Sequence, residues 1–295
     1  MRGIRRWGPG LLLVSPSIVL IAVFVYGLIG WNVKVSLSDW RQVQRTSGWA
    51  GLSVYHELRD DERFSIDVHH LIGFTITFVV ATLLIGAFLA FLLDKGVKGE
   101  GFFRAVYLFP MAISFIAAGI VWRWLMNPAP ADRAVGLNAA FDKLGIGFLS
   151  NTWWQDPDWG MSAMAIPAIW ALSGYIMALY LAGFRGVPEE LREAARMDGA
   201  SEFRVYRHVV FPHLRPVTLA ALIIMGHISV KVFDLIFAIG SKQLISEVPA
   251  IYMWVLIYEA QDFAIGAAIA TLLLLGISVL IVPYLIYTVR QERRT

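Results

Sequence analysis

Residues 188–216 read PEELREAARMDGASEFRVYRHVVFPHLRP. No other long segment of the chain is so charged: it carries Glu189, Glu190, Arg192, Glu193, Arg196, Asp198, Glu202, Arg204, Arg207 and Arg215. Long apolar runs flank it on both sides, so its charges require a water-facing island between two membrane spans. The whole chain supports that placement. Of its 295 residues 58% are hydrophobic and 16% charged, against roughly 45–50% and about 25% in soluble domains. So apolar a chain cannot hide its surface in a soluble core. It is an integral membrane protein.

Six runs are long enough to cross a bilayer core, which takes about 20 apolar residues in a helix. They are 10–31, 71–93, 105–126, 161–183, 217–239 and 264–288. Helices are expected because hydrocarbon satisfies no backbone hydrogen bonds, and the alternation of barrel strands is absent. The opening MRGIRRWGPG resembles a signal sequence, but its apolar run is too long and no small-residue cleavage site follows. It reads as an uncleaved first span. One transmembrane domain is expected over 1–295, with the charged loop, 184–216, inside it.

Six crossings put both termini on one side, and charge selects it. Fifteen basic residues fall on one side: Arg2, Arg5, Arg6, Lys95, Lys98, Arg104, six between the fourth and fifth spans, and Arg290, Arg293 and Arg294. The other side holds eight: Lys34, Arg41, Arg45, Arg59, Arg63, Arg133, Lys143 and Lys242. The richer side is cytoplasmic, so the termini and the 184–216 loop are expected there. Trp31, Trp40, Trp49, Trp122, Trp124, Trp153, Trp154, Trp159 and Trp254 gather near the outer ends, where indole rings prefer the headgroup level. The outer loops, 32–70 and 127–160, are long enough to fold over that face.

Within the charged loop, Val187-Pro188-Glu189-Glu190 reads as a helix start, with proline at the first position and acids complementing the dipole. Leu191, Ala194, Ala195 and Met197 give it a short face of mostly small residues. Asp198-Gly199 ends it, glycine being free to cap in a left-handed conformation. A second short helix is expected over 201–208. Two readings remain open on these grounds: a solvated connector, or a knob that docks into a partner's groove.

Glu193-Ala194-Ala195-x3-Gly199-x9-Val209-x-Phe211-Pro212 resembles the EAA loop of ATP-binding-cassette importer permeases. The family typically has Ile and Leu where this chain has Val209 and Phe211. The resemblance implies a type I importer permease fold, with Glu193, Ala194, Ala195, Asp198 and Gly199 coupling to a separate ATPase. Further matches resemble the carbohydrate-type permeases of maltose and glycerol-phosphate systems. They are Pro110, Trp122-Arg123-Trp124-Leu125-Met126-Asn127-Pro128, Gly136-Leu137-Asn138, Trp170, Leu181-Ala182-Gly183, Val187-Pro188 and Phe233-Asp234-Leu235-Ile236. One departure is Gly240-Ser241-Lys242-Gln243-Leu244, where the family is rich in glycine and proline. The resemblance implies a second permease chain, two ATPase subunits holding ATP and Mg, an extracytoplasmic solute-binding protein and a sugar substrate. It implies a multi-pass inner-membrane protein of prokaryotic type.

The chain has no cysteine and no phosphate-binding loop, so thiolate chemistry is excluded and any ATP is hydrolysed elsewhere. No catalytic residue, metal site or nucleic-acid partner is expected; His69-His70 and His208/His213 lack a third ligand at suitable spacing. Charge inside a span costs about 2.5–3.5 kcal/mol per residue and marks candidate sites. The fifth span holds His227, Ser229, Lys231 and Asp234; Lys231 and Asp234, three apart, are expected on one helix face as an ion pair or as pathway lining. Trp170, Ser173 and Tyr175 supply stacking and hydroxyl groups of the kind sugars need. The resemblance places Tyr175, Met225 and Ser229 beside the solute path, with Met225 in place of a polar residue. Arg123 reads as an interfacial anchor. The rival classes are an ion-coupled secondary transporter using Lys231 and Asp234, an importer of a non-sugar solute such as glycerol phosphate, and a membrane-embedded enzyme.

Overall fold

The computed structural model of this chain describes residues 4–43, 48–129 and 133–292; Arg2, Arg45, Arg293 and Arg294 lie outside the described residues. Among those described there are helices and no strand beyond one isolated bridge, Ser38 with Trp49. In chain order the helices are α1 (Ile4–Ile21), α2 (Leu28–Ser36), α3 (Ser53–Asp60), α4 (Glu62–Asp94), α5 (Glu100–Leu108), α6 (Phe115–Leu125) and α7 (Gly136–Lys143). Then come α8 (Gly160–Arg185), α9 (Glu189–Met197), α10 (Glu202–Val205), α11 (Phe211–His213), α12 (Arg215–Val230), α13 (Asp234–Gly240), α14 (Pro249–Val255) and α15 (Phe263–Glu292).

Four stretches are apolar and long enough to cross a bilayer: Leu13–Ser36, Glu62–Asp94, Gly160–Arg185 and Phe263–Ile286. Two further crossings are bent, and counting each bent pair once gives six. The third expected span is one of them, turning by 96° between Ala112 and Phe115. Pro110 brings no N–H to the tight turn Phe109–Ala112, and Ile113 and Ser114 are extended before α6 starts. The other bent pair joins Glu202–His213 to Arg215–Val230 at 64°, and the fifth expected span is itself not continuous. Helix α12 stops at Val230, and α13 starts afresh at Asp234. Near this break Ser229 Oγ donates to Gly226 O at 2.8 Å, a side-chain bond that competes with the helix ladder.

The chain groups into two compact units. One comprises the residues up to Ser65 with Tyr252–Leu275. Its core is Val54, Leu58, Tyr252, Leu256, Ala264, Ile265, Ala268 and Ile269. Polar groups there are paired: Asn32 Nδ2 donates to Ala267 O at 3.1 Å and Thr271 Oγ1 at 3.0 Å, and Tyr252 OH donates to Asp61 Oδ2 at 2.6 Å. Arg41 grips Glu57 with both terminal guanidinium nitrogens. That bond holds the Glu57 carboxyl below its usual range.

The other unit, Ile66–Ile251 with the residues from Gly276 on, is built around α8. Gly174 of α8 lies so close to the Tyr107 carbonyl that a methyl group there would collide with backbone. At Gly86 of α4 a methyl group would overlap the Ile176 side chain. Small residues at such crossings let helices approach where no hydrophobic effect drives them together. At one end of the unit the terminus of α4, the start of α5 and the terminus of α8 converge, with Arg185 on Glu100 at 2.7 Å. That convergence requires the third and fourth spans to return the chain to its side, as the charge count expects.

Candidate functional site

The charged loop forms a knob at this convergence. Helix α9 starts one residue later than proline placement suggests: Pro188 is the N-cap, with an extended ψ of 131°, and Glu189 is the first helical residue. The C-terminus is closed as expected, with Gly199 at φ +79°. Ala200 N–H donates to Ala195 O and Gly199 N–H to Arg196 O, each at 3.0 Å, which is the full Schellman pairing. The expected second helix is shorter in its regular part: α10 ends at Val205 and gives way to a wide π-turn, Tyr206–Val210.

The two faces of α9 differ. Outward lie Glu193, Ala194, Asp198 and Gly199, all exposed, with Leu191 and, just beyond α9, Phe203. Met197 is 87% exposed and Phe203 72%, a high cost in water for apolar groups on a charged loop. Ala195 is half-buried. On the same surface Arg196 bridges Glu189 at 2.9 Å and Glu202 at 2.8 Å. Inward points Arg192, only 7% exposed. Its Nη1 meets Asp94 Oδ2 at 3.0 Å, and its Nη2 donates to Phe184 O at 2.6 Å. Tyr206 OH donates to the same Asp94 oxygen at 2.6 Å. Burial, and then that bond to a carboxylate, push the Tyr206 phenol up to about 12. Sequence reasoning missed this cluster; its one local signal is that Asp94 ends a helix, where an acid opposes the dipole.

The second feature is a cavity of about 250 Å³ where the bent crossings meet. Phe74 and Phe78 of α4, Phe115 at the start of α6, and Ala168 and Leu172 of α8 form its apolar wall. Lys231, Val232, Phe233 and Asp234, the irregular stretch between α12 and α13, complete it. Helix α13 packs so closely on α6 that a methyl at Gly119 would overlap Ala238. Irregular backbone at membrane depth is tolerated where it lines a cavity. Lys231 and Asp234 therefore do not share one helix face: Lys231 caps α12 and Asp234 opens α13, where an acid suits the dipole. Both are exposed at the cavity, and no ion pair joins them.

The other expected pathway residues lie elsewhere. Met225 and Ser229 are fully buried. Ser173 is buried, Tyr175 half-buried, and Trp170 is exposed, edge-on to Trp122 at 5.9 Å. Arg123 borders a separate polar recess of about 430 Å³ with Asn127, Trp154, Gln155 and Gln243. Asn138 braces that region: Nδ2 donates to Asn127 O and Asn151 O, and Oδ1 accepts from Trp153 Nε1 at 2.8 Å. No cluster of His, Asp or Glu able to hold a metal occurs among the described residues.

Residues 82–295 match the family described as binding-protein-dependent transport system inner membrane component. A probable ABC transporter permease protein of Pyrococcus horikoshii is 38% identical over 286 residues, covering 96% of this chain and 97% of that one. The xylose/arabinose import permease of Haloferax volcanii is 30% identical over 277 residues, covering 92% and 86%. A bacterial ABC transporter involved in import of the acidic polysaccharide alginate superposes at a TM-score of 0.77. That match spans 100% of this chain and 98% of the other at 18% identity, a likeness of fold.

Proposed function

This chain belongs to the inner-membrane components of binding-protein-dependent transport systems, and we propose that it forms half of the solute path in an ATP-driven sugar importer. The observation that carries the coupling role is the outward face of α9, where Met197, Phe203 and Leu191 are exposed beside Glu193, Ala194, Ala195, Asp198 and Gly199. An apolar, sharply capped knob ringed by charge fits a groove on a separate ATPase, which supplies ATP and Mg. A second permease chain completes the path, and an external binding protein delivers the solute. Closure of two ATPases draws the knobs together and opens the path outward; hydrolysis resets it. The transported molecule is not chemically altered.

A pentose or hexose is the solute class, in keeping with the relative named for xylose and arabinose import. The cavity offers Phe74, Phe78, Phe115 and Phe233 as flat apolar faces, with Lys231 and Asp234 as donor and acceptor for hydroxyls. Trp170, Ser173, Tyr175, Met225 and Ser229 flank this path and meet solute only when the spans rearrange. Vesicles holding the chain with its partner permease, ATPases and binding protein are expected to accumulate labelled D-xylose or D-glucose only with ATP beside the ATPases. Uptake driven by a proton or sodium gradient without ATPase subunits would overturn the proposal.

A further inference from the structure

Arg192 is the only buried Arg or Lys among the described residues. Its guanidinium sits where two helices end. Asp94 is the last residue of α4 and Phe184 lies in the last turn of α8. Helix C-termini carry negative partial charge and unpaired carbonyls, so their convergence, with Asp94 added, forms an anionic socket. A planar fork of donors fills two positions of that socket at once, as a lysine cannot. Tyr206 reaches the same Asp94 oxygen from the segment after α9, and its ring packs edge-on to Phe184 at 6.0 Å and Phe91 at 4.8 Å.

We propose that Arg192, Asp94 and Tyr206 form a joint that makes the knob move as one body with α4. The inference rests on the coupling role proposed for the knob and adds the route that motion takes. By covalent connection alone, a push on α9 passes to α8 and toward α12. Through Asp94 it also enters α4, which runs without a proline back to Phe78 and Phe74 in the cavity wall. From Asp94 to Phe78 is about 24 Å at 1.5 Å per residue. Arg192, Asp94 and Tyr206 are positioning residues that tie the knob to the cavity.

The chain has no cysteine, so paired spin labels can be placed cleanly. The test uses V97C, just past α4, and E190C, on α9, in the transporter assembled with its ATPases. Wild-type background is expected to give one narrow distance, the same without nucleotide and with ATP plus vanadate. In R192A and in Y206F a second, shifted population is expected with nucleotide. R192K, which keeps the charge without the fork, should show a smaller second population. A single unchanged distance in R192A and Y206F in both states would overturn the joint, as would separation of the wild-type pair on adding nucleotide. If R192A does not assemble, Y206F and R192K carry the test, since each leaves Asp94 a donor. Failure of the coupling role shows differently: the ATPase then fails to co-purify with wild-type chain.

Discussion

Helix α9 carries two arginines four residues apart, one buried and one exposed, with Glu189 within reach of both. Arg192 is buried against Asp94 and two helix ends, with side chains 9% and 5% exposed. Arg196 holds Glu189 and Glu202 in water, with side chains 40%, 59% and 57% exposed. Exposed ion pairs are screened and contribute little; breaking a buried one strands a charge. The inner arginine thus fixes where the helix sits, and the outer one adjusts the surface it presents. The same residue type, one helical turn apart, serves anchorage in one case and recognition in the other.

Arg192→Ala should break the contrast most. It leaves the Asp94 carboxylate buried with only Tyr206 as donor, a loss of about 3–5 kcal/mol, read as faster hydrogen exchange across α9 and a lower melting temperature in detergent. Tyr206→Phe removes one hydrogen bond to a charged acceptor, about 1.5–3 kcal/mol. The difference in melting between wild type and this variant also has a pH signature. Folded Tyr206 titrates near 12 against 10 unfolded, so its contribution is complete below pH 10 and fades as pH rises through about 12. Gly199→Ala meets open space but imposes a left-handed conformation, costing about 1–2 kcal/mol; Gly199→Trp should add loss of ATPase co-purification, because bulk then stands on the docking face. Arg196→Ala should leave melting unchanged and alter only ATPase affinity, in a salt-dependent way. A melting shift as large as that of Arg192→Ala would erase the distinction between the two arginines.

The outer face of the knob was legible because its signals are local. Glu189 and Glu190 in the first turn and Gly199 at the end define α9 within one residue, and the Schellman pairing follows. The inner face was not, because Asp94 and Arg192 lie 98 residues apart and no periodicity links them. The break in the fifth span was hidden for another reason. Residues 217–239 form one apolar run by composition, and spacing by three implies a shared face only if the helix is continuous. The lone Lys231 and Asp234 were the available clue, since a break lets each reach a cavity at a helix terminus. Hydropathy likewise passes over the 96° bend, which Pro110 marks only as a helix end.

The contact between Asp94 and Arg192 also bears on how the protein is made. Synthesis runs from the amino end, so the second span is placed before Arg192 exists. Until then the Asp94 carboxylate has neither of its partners and must remain hydrated, holding that end of α4 at the membrane surface. It can be buried only once the third and fourth spans have been threaded and the chain has returned to the same side. A chain that skipped one of those spans would leave the two charges on opposite sides of the bilayer, where they cannot pair. Closure of the pair thus requires an even number of crossings between Asp94 and Arg192.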